Sequence, residues 1–268
     1  MDLFDKKTIK QTLKNLPALK KFGQNFLIDK NILKKIAEAA KLTKDDIVLE
    51  IGPGLGSLTQ ELAKKSKKVI AIEKDKRMVK LLKNNLKAAN LRIVEADALY
   101  GDYSLPKNYK LIANLPYNIS VPLIRKFLEA QRPPKIMILM TQLEVAEKIC
   151  SQKTSILKIA VEFYGKAEFL FKVPKEKFLP QPKVDGGVIR IDKIQKSIPN
   201  VDKKKFFELL KSGFAYPRKT ILNNLSKKLK IEKGEVLKLF EKADINPKER
   251  PQDIDFKHWV KLFNSFHN

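Results

Sequence analysis

The chain has 268 residues, of which 43% are hydrophobic, so it is long enough for one large domain or two ordinary ones. Its 55 basic and 30 acidic residues give a net charge of +25, which favours a polyanionic partner, although a lysine-biased proteome would give the same excess. One cysteine (Cys150) excludes an intrachain disulfide, and two histidines (His258 and His267) near the C-terminus disfavour a histidine triad or a zinc hydrolase.

Charge by itself leaves RNA, DNA and an anionic membrane open as partners. The N-terminal residues lack the apolar core of a signal peptide, and no apolar run approaches 18 residues. Cysteine and histidine do not cluster at metal-ligand spacing. We therefore expect a cytoplasmic protein that does not span a membrane and has no metal site.

Short apolar runs alternate with helical patterns in the first 150 residues. The runs predict strands at 47–51, 69–73, 91–97, 110–114 and 135–140. The intervening patterns predict helices near 57–65, 77–87 and 142–150. Strands that are apolar throughout and alternate with helices indicate a doubly wound α/β fold with a parallel sheet covered on both faces.

The second half of the chain has a different pattern. Runs at 157–164, 168–173 and 186–191 are too close together for crossover helices, so they predict antiparallel strands at the edge of the sheet. Residues 192–204 are polar and are interpreted as a linker, after which the apolar spacing is helical. We predict two domains, an α/β domain over residues 1–192 and a small all-helical domain over residues 193–268.

Glycines and acidic residues coincide at the ends of the predicted strands. Gly52, Gly54 and Gly56 follow the first strand, Glu73 ends the second and Asp97 ends the third. In open α/β sheets the ligand lies at this carboxyl edge, where a carboxylate binds the ribose of a nucleoside. The G-x-G-x-G spacing differs from the dinucleotide fingerprint, so S-adenosylmethionine, which has no pyrophosphate, fits better than NAD.

The sequence NLPY follows the fourth strand at the same edge. The Asn114 carboxamide and a carbonyl of Leu115 or Pro116 can accept hydrogen bonds from the two hydrogens of an adenine amino group, which favours the pyramidal geometry of attack. Pro116 stiffens the turn, and Tyr117 offers a ring face for a flipped base. The motif therefore predicts methyl transfer to an adenine amino nitrogen without a titrating general base.

At these motifs the chain resembles the ribosomal RNA adenine dimethyltransferases, small-subunit (16S) type. FGQNFLID (22–29) resembles the family's N-terminal motif, in which Asn25 and Leu27 contact the methyl donor. VLEIGPGLGSLT (48–59) resembles its donor-binding turn, with Gly52 as the contact residue. The resemblance implies that Glu73 binds the donor's ribose and that Asp97 binds its adenine. It also implies a Rossmann-like class I methyltransferase sheet with a C-terminal helical domain.

The resemblance extends over nearly the whole chain. FLPQPKVDGGV (178–188) resembles the family segment whose aromatic ring faces the target base, a role that would fall to Phe178. PRKTILNNL (217–225) resembles a basic turn in the helical domain, and residues 249–262 resemble the closing segment. Two departures stand out, because the family commonly has Ser-Ala where this chain has Gly186-Gly187 and a second arginine where it has Pro217.

The resemblance implies dimethylation of two adjacent adenines in the loop near the 3′ end of 16S rRNA during small-subunit biogenesis. It implies a monomer that admits RNA between its two domains, with lysines of both binding phosphates. Three alternatives stay open. They are a large-subunit (23S) methyltransferase of the macrolide-resistance type, a non-catalytic assembly or transcription factor with the same fold, and, more distantly, an NAD-dependent dehydrogenase.

Overall fold

The structure is a computed structural model that describes residues 6–19, 22–195 and 198–267. These residues form two compact units, which lie within Met1–Glu147 plus Lys166–Ile194 and within Lys148–Gly165 plus Gln195–Asn268. None of the helices in the described part of the chain is long and apolar enough to cross a membrane.

The first unit is built on a seven-stranded sheet. In spatial order its strands are β4 (Leu91–Glu95), β3 (Lys68–Glu73), β2 (Ile47–Ile51), β5 (Tyr109–Asn114), β6 (Ile136–Gln142), β9 (Gly186–Asp192) and β7 (Lys166–Val173). The five strands from β4 to β6 are parallel, whereas β9 is antiparallel to both β6 and β7. This confirms the predicted doubly wound sheet with an antiparallel edge.

The central strands are buried on both faces, because their side chains are apolar at successive positions. Val48, Leu49, Ile112 and Ile138 are fully buried in the core of the unit. The helices that follow the parallel strands are α3 (Ser57–Lys65), α4 (Lys76–Asn85), α5 (Ser120–Leu128) and α6 (Leu143–Cys150). The bounds of α3, α4 and α6 agree with those of the predicted helices to within two residues.

Three short elements near the N-terminus were not predicted. They are α1 (Lys6–Asn15), β1 (Phe26–Leu27) and α2 (Lys30–Ala39). Asp29 caps α2 by accepting hydrogen bonds from two backbone N–H groups of its first turn. Strand β1 pairs with β8 (Phe178–Leu179), so that Leu27 lies opposite Phe178. A two-residue strand has too short a pattern to be recognised from sequence alone.

The predicted strand over 157–164 is wrong. Residues Ile156–Glu162 form helix α7, whose first turn is capped by Ser155. At the end of α7 the Phe163 ring lies 5.4 Å from that of Phe206 and 5.6 Å from that of Phe207. A short apolar run fits either a strand or a buried helix, and here packing among the aromatic residues of the helical unit selects the helix.

The second unit is all-helical. Besides α7 it contains α8 (Lys203–Gly213), α9 (Ile221–Leu229), α10 (Lys233–Ala243) and α11 (Phe256–His267). Trp259 is fully buried, stacks on Phe214 and fills the space beside Gly213. The helical unit therefore includes residues 148–165 in addition to the C-terminal segment, whereas the sequence pattern predicts that residues 148–165 belong to the α/β domain.

Packing explains why this chain has Gly186-Gly187 where the family commonly has Ser-Ala. A Cβ atom at Gly187 would lie 2.6 Å from the Ala146 Cβ atom and 3.2 Å from the Phe169 ring. One at Gly186 would lie 3.2 Å from the Tyr117 hydroxyl. Because contacts below 3.0 Å require a shift of the neighbouring atoms, the side chains of α6 and β7 have taken the space that alanine would need.

Candidate functional site

A cavity of about 190 Å³ opens at the carboxyl edge of the parallel sheet. It lies where the strand order reverses, since β2 pairs with β3 on one side and with β5 on the other. The predicted residues that line it are Asn25, Leu27, Gly52, Glu73, Asp97, Asn114, Leu115, Pro116 and Tyr117. Of the predicted site residues, only Phe178 is absent from the lining.

The glycine turn forms one wall of this cavity. Gly52 has a φ of +65° and Gly54 a φ of +56°, a left-handed conformation that glycine adopts without strain. A Cβ atom at Gly54 would lie 2.9 Å from the Phe26 ring, so the turn and the FGQNFLID segment pack closely against each other. This packing fixes the backbone of the glycine turn at the cavity wall.

Two glutamates of neighbouring strands, Glu73 and Glu50, also line the cavity. Glu73 is 8% exposed, and its carboxylate accepts hydrogen bonds from the N–H groups of Gly54 (3.2 Å) and Asp75 (2.9 Å). Burial raises the pKa of Glu73 above its ordinary value. Glu50 is 1% exposed, and burial, reinforced by the charge of Glu73, raises its pKa to about 8.

Glu50 was missed by sequence reasoning, although it lies directly between two apolar residues of a predicted buried strand. That position was itself a usable signal, because an ionisable residue is rarely buried without a partner or a function. Its Oε2 atom makes no hydrogen bond of normal geometry within the described residues, although the nearby Thr59 hydroxyl partly offsets the rise in the Glu50 pKa. An unpartnered buried acceptor that lines a cavity indicates a donor group on the ligand.

Asp97 lies two residues beyond the end of β4, not at the end of a strand as predicted. Its Oδ1 atom accepts hydrogen bonds from the N–H groups of Leu99 (2.8 Å) and Tyr100 (3.3 Å), and its Oδ2 atom from Lys74 Nζ (2.6 Å). Burial would raise the pKa of Asp97, but the bonds from Lys74 and the backbone outweigh it and lower the pKa. Asp97 is therefore an ionised acceptor at neutral pH.

The turn after Asp97 is held by Lys126 of α5, another residue missed from the sequence. Lys126 Nζ donates hydrogen bonds to the carbonyl oxygens of Ala98 (2.9 Å) and Leu99 (2.8 Å) and lies 4.8 Å from the centroid of the Tyr103 ring. The Tyr103 hydroxyl also donates to Ala98. A lysine on the polar side of a helix is usually solvated, so nothing in the sequence marked this one.

Asn114 has a defined orientation at the end of β5. Its Nδ2 atom donates a hydrogen bond to the backbone oxygen of Asn25 at 3.3 Å. This bond directs the amide nitrogen toward the FGQNFLID segment and leaves Oδ1 as an acceptor without a partner in the described chain. The contact brings together the two motifs that the sequence places 89 residues apart.

The backbone of NLPY forms a turn fastened at both ends. The N–H group of Leu115 donates to the Met140 carbonyl oxygen at 2.9 Å, and the Pro116 carbonyl oxygen accepts from Ile119 N–H at 3.1 Å. The sequence left the second acceptor open between Leu115 and Pro116. Since the Pro116 carbonyl already accepts a bond within the turn, the Leu115 carbonyl is the more available acceptor.

The aromatic residues differ in their access to the cavity. Tyr117 is half-buried and lines it, and its hydroxyl has no partner among the described residues. Burial, together with the charge of Asp185, raises the Tyr117 pKa to about 12, so the phenol stays neutral. Phe178 is only 2% exposed and packs edge-on against Tyr117, with ring centroids 6.4 Å apart. In this structure Phe178 therefore supports Tyr117 from within the core.

The cavity residues fit a methyl donor that contains adenosine. Glu73 at the end of β3 and Asp97 just beyond the end of β4 provide acceptors, the glycine turn leaves backbone accessible, and Glu50 presents a buried oxygen without a hydrogen bond of normal geometry. Among the described residues there is no group of three or more histidine, cysteine, aspartate or glutamate side chains placed to hold a metal ion.

Comparison with known proteins gives a consistent result. The model of the ribosomal RNA adenine dimethylase family matches residues 16–268. A curated protein of Geobacillus thermodenitrificans named Ribosomal RNA small subunit methyltransferase A is 38% identical over 265 residues, covering 92% of this chain and 90% of that protein. The protein of the same name from Dehalococcoides mccartyi is 40% identical over 255 residues, covering 92% and 88%.

Two solved structures share the fold over most of the chain. A dimethyladenosine transferase from Plasmodium falciparum has a TM-score of 0.75 and 31% identity, covering 88% of this chain and 95% of that one. The 23S rRNA methyltransferase ErmE has a TM-score of 0.75 and 28% identity, covering 91% and 100%. The structural likeness thus includes a 23S rRNA methyltransferase and a dimethyladenosine transferase.

Proposed function

Because the chain belongs to the ribosomal RNA adenine dimethylase family, we propose that it dimethylates two adjacent adenines near the 3′ end of 16S rRNA in the immature small subunit. As a member of this family it is an rRNA adenine dimethyltransferase that uses S-adenosylmethionine. The choice of 16S rRNA is supported by the names of the curated relatives at 38% and 40% identity. Action as a monomer in the cytoplasm is part of the same proposal.

The observation that carries the assignment of the reaction is the Asn114–Asn25 hydrogen bond at 3.3 Å. It holds the Asn114 amide so that Oδ1 is the free acceptor at the cavity. Asn114 Oδ1 and the Leu115 carbonyl oxygen would accept the two hydrogens of the adenine amino group and orient its lone pair. Positioning of this kind accelerates a reaction without a titrating base. Tyr117 would stack on the flipped base, with Phe178 behind it as a positioning residue.

The donor would be held by the residues on the other side of the cavity. Glu73 would accept hydrogen bonds from the ribose hydroxyls, Asp97 from the adenine amino group, and Glu50 would face the donor's ammonium group. Asn25, Leu27 and Gly52 would contact the donor through backbone or apolar atoms. When bound, S-adenosylmethionine supplies an electrophilic methyl group on a sulfonium centre. A neutral Asn114 leaves that charge without a competing carboxylate beside the nucleophile.

The test is transfer of labelled methyl groups from S-adenosylmethionine to purified, unmethylated small subunits and, separately, to large-subunit rRNA. Wild type is compared with Asn114→Ala and with a control, Asn84→Ala, whose side chain is exposed on α4. We expect dimethyladenine in small-subunit RNA with wild type and Asn84→Ala, and a loss of about 10³-fold with Asn114→Ala.

Each alternative has its own outcome in this experiment. Label in large-subunit adenines would support the 23S alternative and overturn the 16S assignment. Tight binding to subunits without label would leave a non-catalytic assembly factor. The dehydrogenase alternative is set aside by the family to which the chain belongs.

A further inference from the structure

We propose that Tyr216, Lys219, Lys227 and Lys228 form a binding site for the phosphate groups of the RNA substrate. We call these four residues the Tyr216 patch; they lie in the turn before α9 and in its last turn. The inference rests on the proposed function for the nature of the RNA. It assigns to the helical unit a specific contact that accounts for part of the chain's basic excess.

The three lysines converge on one aromatic ring. Their Nζ atoms lie 5.5 Å (Lys219), 5.1 Å (Lys227) and 5.4 Å (Lys228) from the centroid of the Tyr216 ring. All three side chains are exposed, and none of them forms an ion pair with a carboxylate in the described part of the chain. Cation–π attraction holds them near the ring, while their like charges repel one another. A bound anion would remove that repulsion.

A fully buried asparagine fixes the turn that carries the patch. Asn224 Nδ2 donates hydrogen bonds to the carbonyl oxygens of Tyr216 (3.1 Å), Lys219 (3.4 Å) and Thr220 (3.1 Å). Its Oδ1 atom accepts from Tyr216 N–H at 2.8 Å. The backbone from residue 216 to residue 220 is therefore held by one side chain of the following helix, and its shape does not depend on a ligand.

The same helix explains why distant lysines reach Tyr216. Residues three and four positions apart share a helix face, so Lys227 and Lys228 lie on the face that begins with Asn224. Since Asn224 binds the backbone of Tyr216, the ring is brought alongside both lysines. The patch is thus a product of the fold, because these two lysines lie eleven and twelve positions after Tyr216 in the chain.

The surroundings favour RNA over a membrane surface. Proteins that lie on bilayers place large apolar side chains beside their basic residues. The large hydrophobic residues exposed within the described part of the helical unit are Ile156 and Leu237, which belong to α7 and α10, and neither is in the patch. Lysines around a half-buried tyrosine instead match the positively charged surfaces with aromatic residues that track a nucleic-acid backbone.

The test compares wild type with the double variant Lys227→Gln/Lys228→Gln. The matched control is Lys233→Gln/Lys238→Gln, which removes two exposed lysines of α10 and changes the net charge equally. The probe is a single-stranded 3′-terminal segment of small-subunit rRNA, and binding is measured over a range of salt concentrations. Methyl transfer to small subunits gives KM and kcat separately.

We expect the patch variant to bind the RNA about 10-fold more weakly, with the slope of log K against log salt reduced by about 1.5, because roughly two phosphate contacts are lost. KM for small subunits should rise about 10-fold while kcat and donor affinity change less than about twofold. Tyr216→Leu should weaken binding in the same direction. The control variant should stay within about twofold of wild type for every quantity.

Three results would overturn the inference. The first is a patch variant that matches the control in RNA affinity and salt slope. The second is a loss confined to kcat, and the third is unchanged RNA binding with lost binding to phosphatidylglycerol vesicles. If wild type methylates neither subunit, the proposed function fails, whereas the RNA-binding comparison still decides on the patch.

Discussion

Several polar atoms at the cavity already form hydrogen bonds within the protein, and these bonds determine which atoms remain available to a ligand. The Asn114 amide nitrogen donates a hydrogen bond to the Asn25 backbone oxygen, so the amide oxygen remains available as an acceptor for a ligand. Glu73 accepts a backbone hydrogen bond on each carboxylate oxygen, and every such oxygen has a second acceptor site. The site is therefore organised by short-range hydrogen bonds before any ligand arrives.

Tyr117 gives a prediction that separates its ring from its hydroxyl. The hydroxyl has no partner in the described chain, whereas the ring lines the cavity and packs on Phe178. Tyr117→Phe should therefore retain kcat/KM for small subunits to within about threefold. Tyr117→Ala should lose about 10²-fold, since base–aromatic stacking contributes about 1–3 kcal/mol. Steady-state methyl transfer measures both, and a large loss in Tyr117→Phe would assign a chemical role to the hydroxyl.

Glu50 makes the stability of the free protein depend on pH. Its pKa is about 8 in the folded chain against an ordinary value of 4.5, so between these values the folded chain keeps a proton that the unfolded chain has lost. The contribution of Glu50 to the free energy of unfolding is fully present below pH 4.5 and decreases as the pH rises toward 8. Each pH unit in this window lowers the free energy of unfolding by about 1.4 kcal/mol at most.

The measurement compares wild type with Glu50→Gln, which has nearly the same shape and does not titrate. In denaturant unfolding without ligand, the free energy of unfolding of the variant relative to wild type should rise steadily from pH 5 to pH 8. A difference that stays constant over this range would show that Glu50 does not carry a raised pKa.

At the scale of elements, α5 connects the two halves of the site. It begins directly after the NLPYNI segment, and its Lys126 donates hydrogen bonds to Ala98 and Leu99 in the turn that follows Asp97. Burial lowers the Lys126 pKa, and the charge of Asp97 only partly offsets this effect. The helix that follows the NLPY motif thus also positions the turn that we propose holds the donor's adenine.

Lys126→Met should therefore weaken donor binding. Loss of two charge-assisted hydrogen bonds frees the turn, and we expect the Kd for S-adenosylmethionine to rise about 10-fold. Lys126→Arg, which keeps the charge and the donors, should recover part of the affinity, and KM for small subunits should change little in either variant. Calorimetry with the donor and steady-state kinetics check this. Equal losses toward donor and RNA would indicate general destabilisation instead.

At the scale of the whole molecule, the net charge of +25 predicts strong dependence of RNA binding on salt. Neutralised phosphates release condensed counterions, so affinity for small-subunit rRNA should fall at least about 10²-fold between 50 and 200 mM salt. Donor affinity should change less than about twofold, because its recognition depends on buried hydrogen bonds. Parallel titrations of RNA and donor test this, and a flat RNA response would mean that the lysine excess reflects proteome composition.

Much of the α/β unit could be predicted because its signals are local. Apolar runs placed β2, β3, β5 and β6 within two residues of their observed bounds, and each predicted donor-binding residue lines the cavity. Two features depend on contacts with distant residues. Residues 156–162 form a helix, and Phe178 is buried beside Tyr117. The conformation of each segment depends on contacts with residues far away in the chain.

The sequence by itself determined the parallel sheet, the glycine turn, the acidic residues at its carboxyl edge and the NLPY motif, since these depend on residue type and short spacing. Only the tertiary structure decided which side chains orient them. The Asn25–Asn114 contact, the Lys126 hydrogen bonds and the contact of Lys227 with Tyr216 join residues between eleven and 89 positions apart. Such contacts follow from how whole elements pack, and no local pattern encodes them.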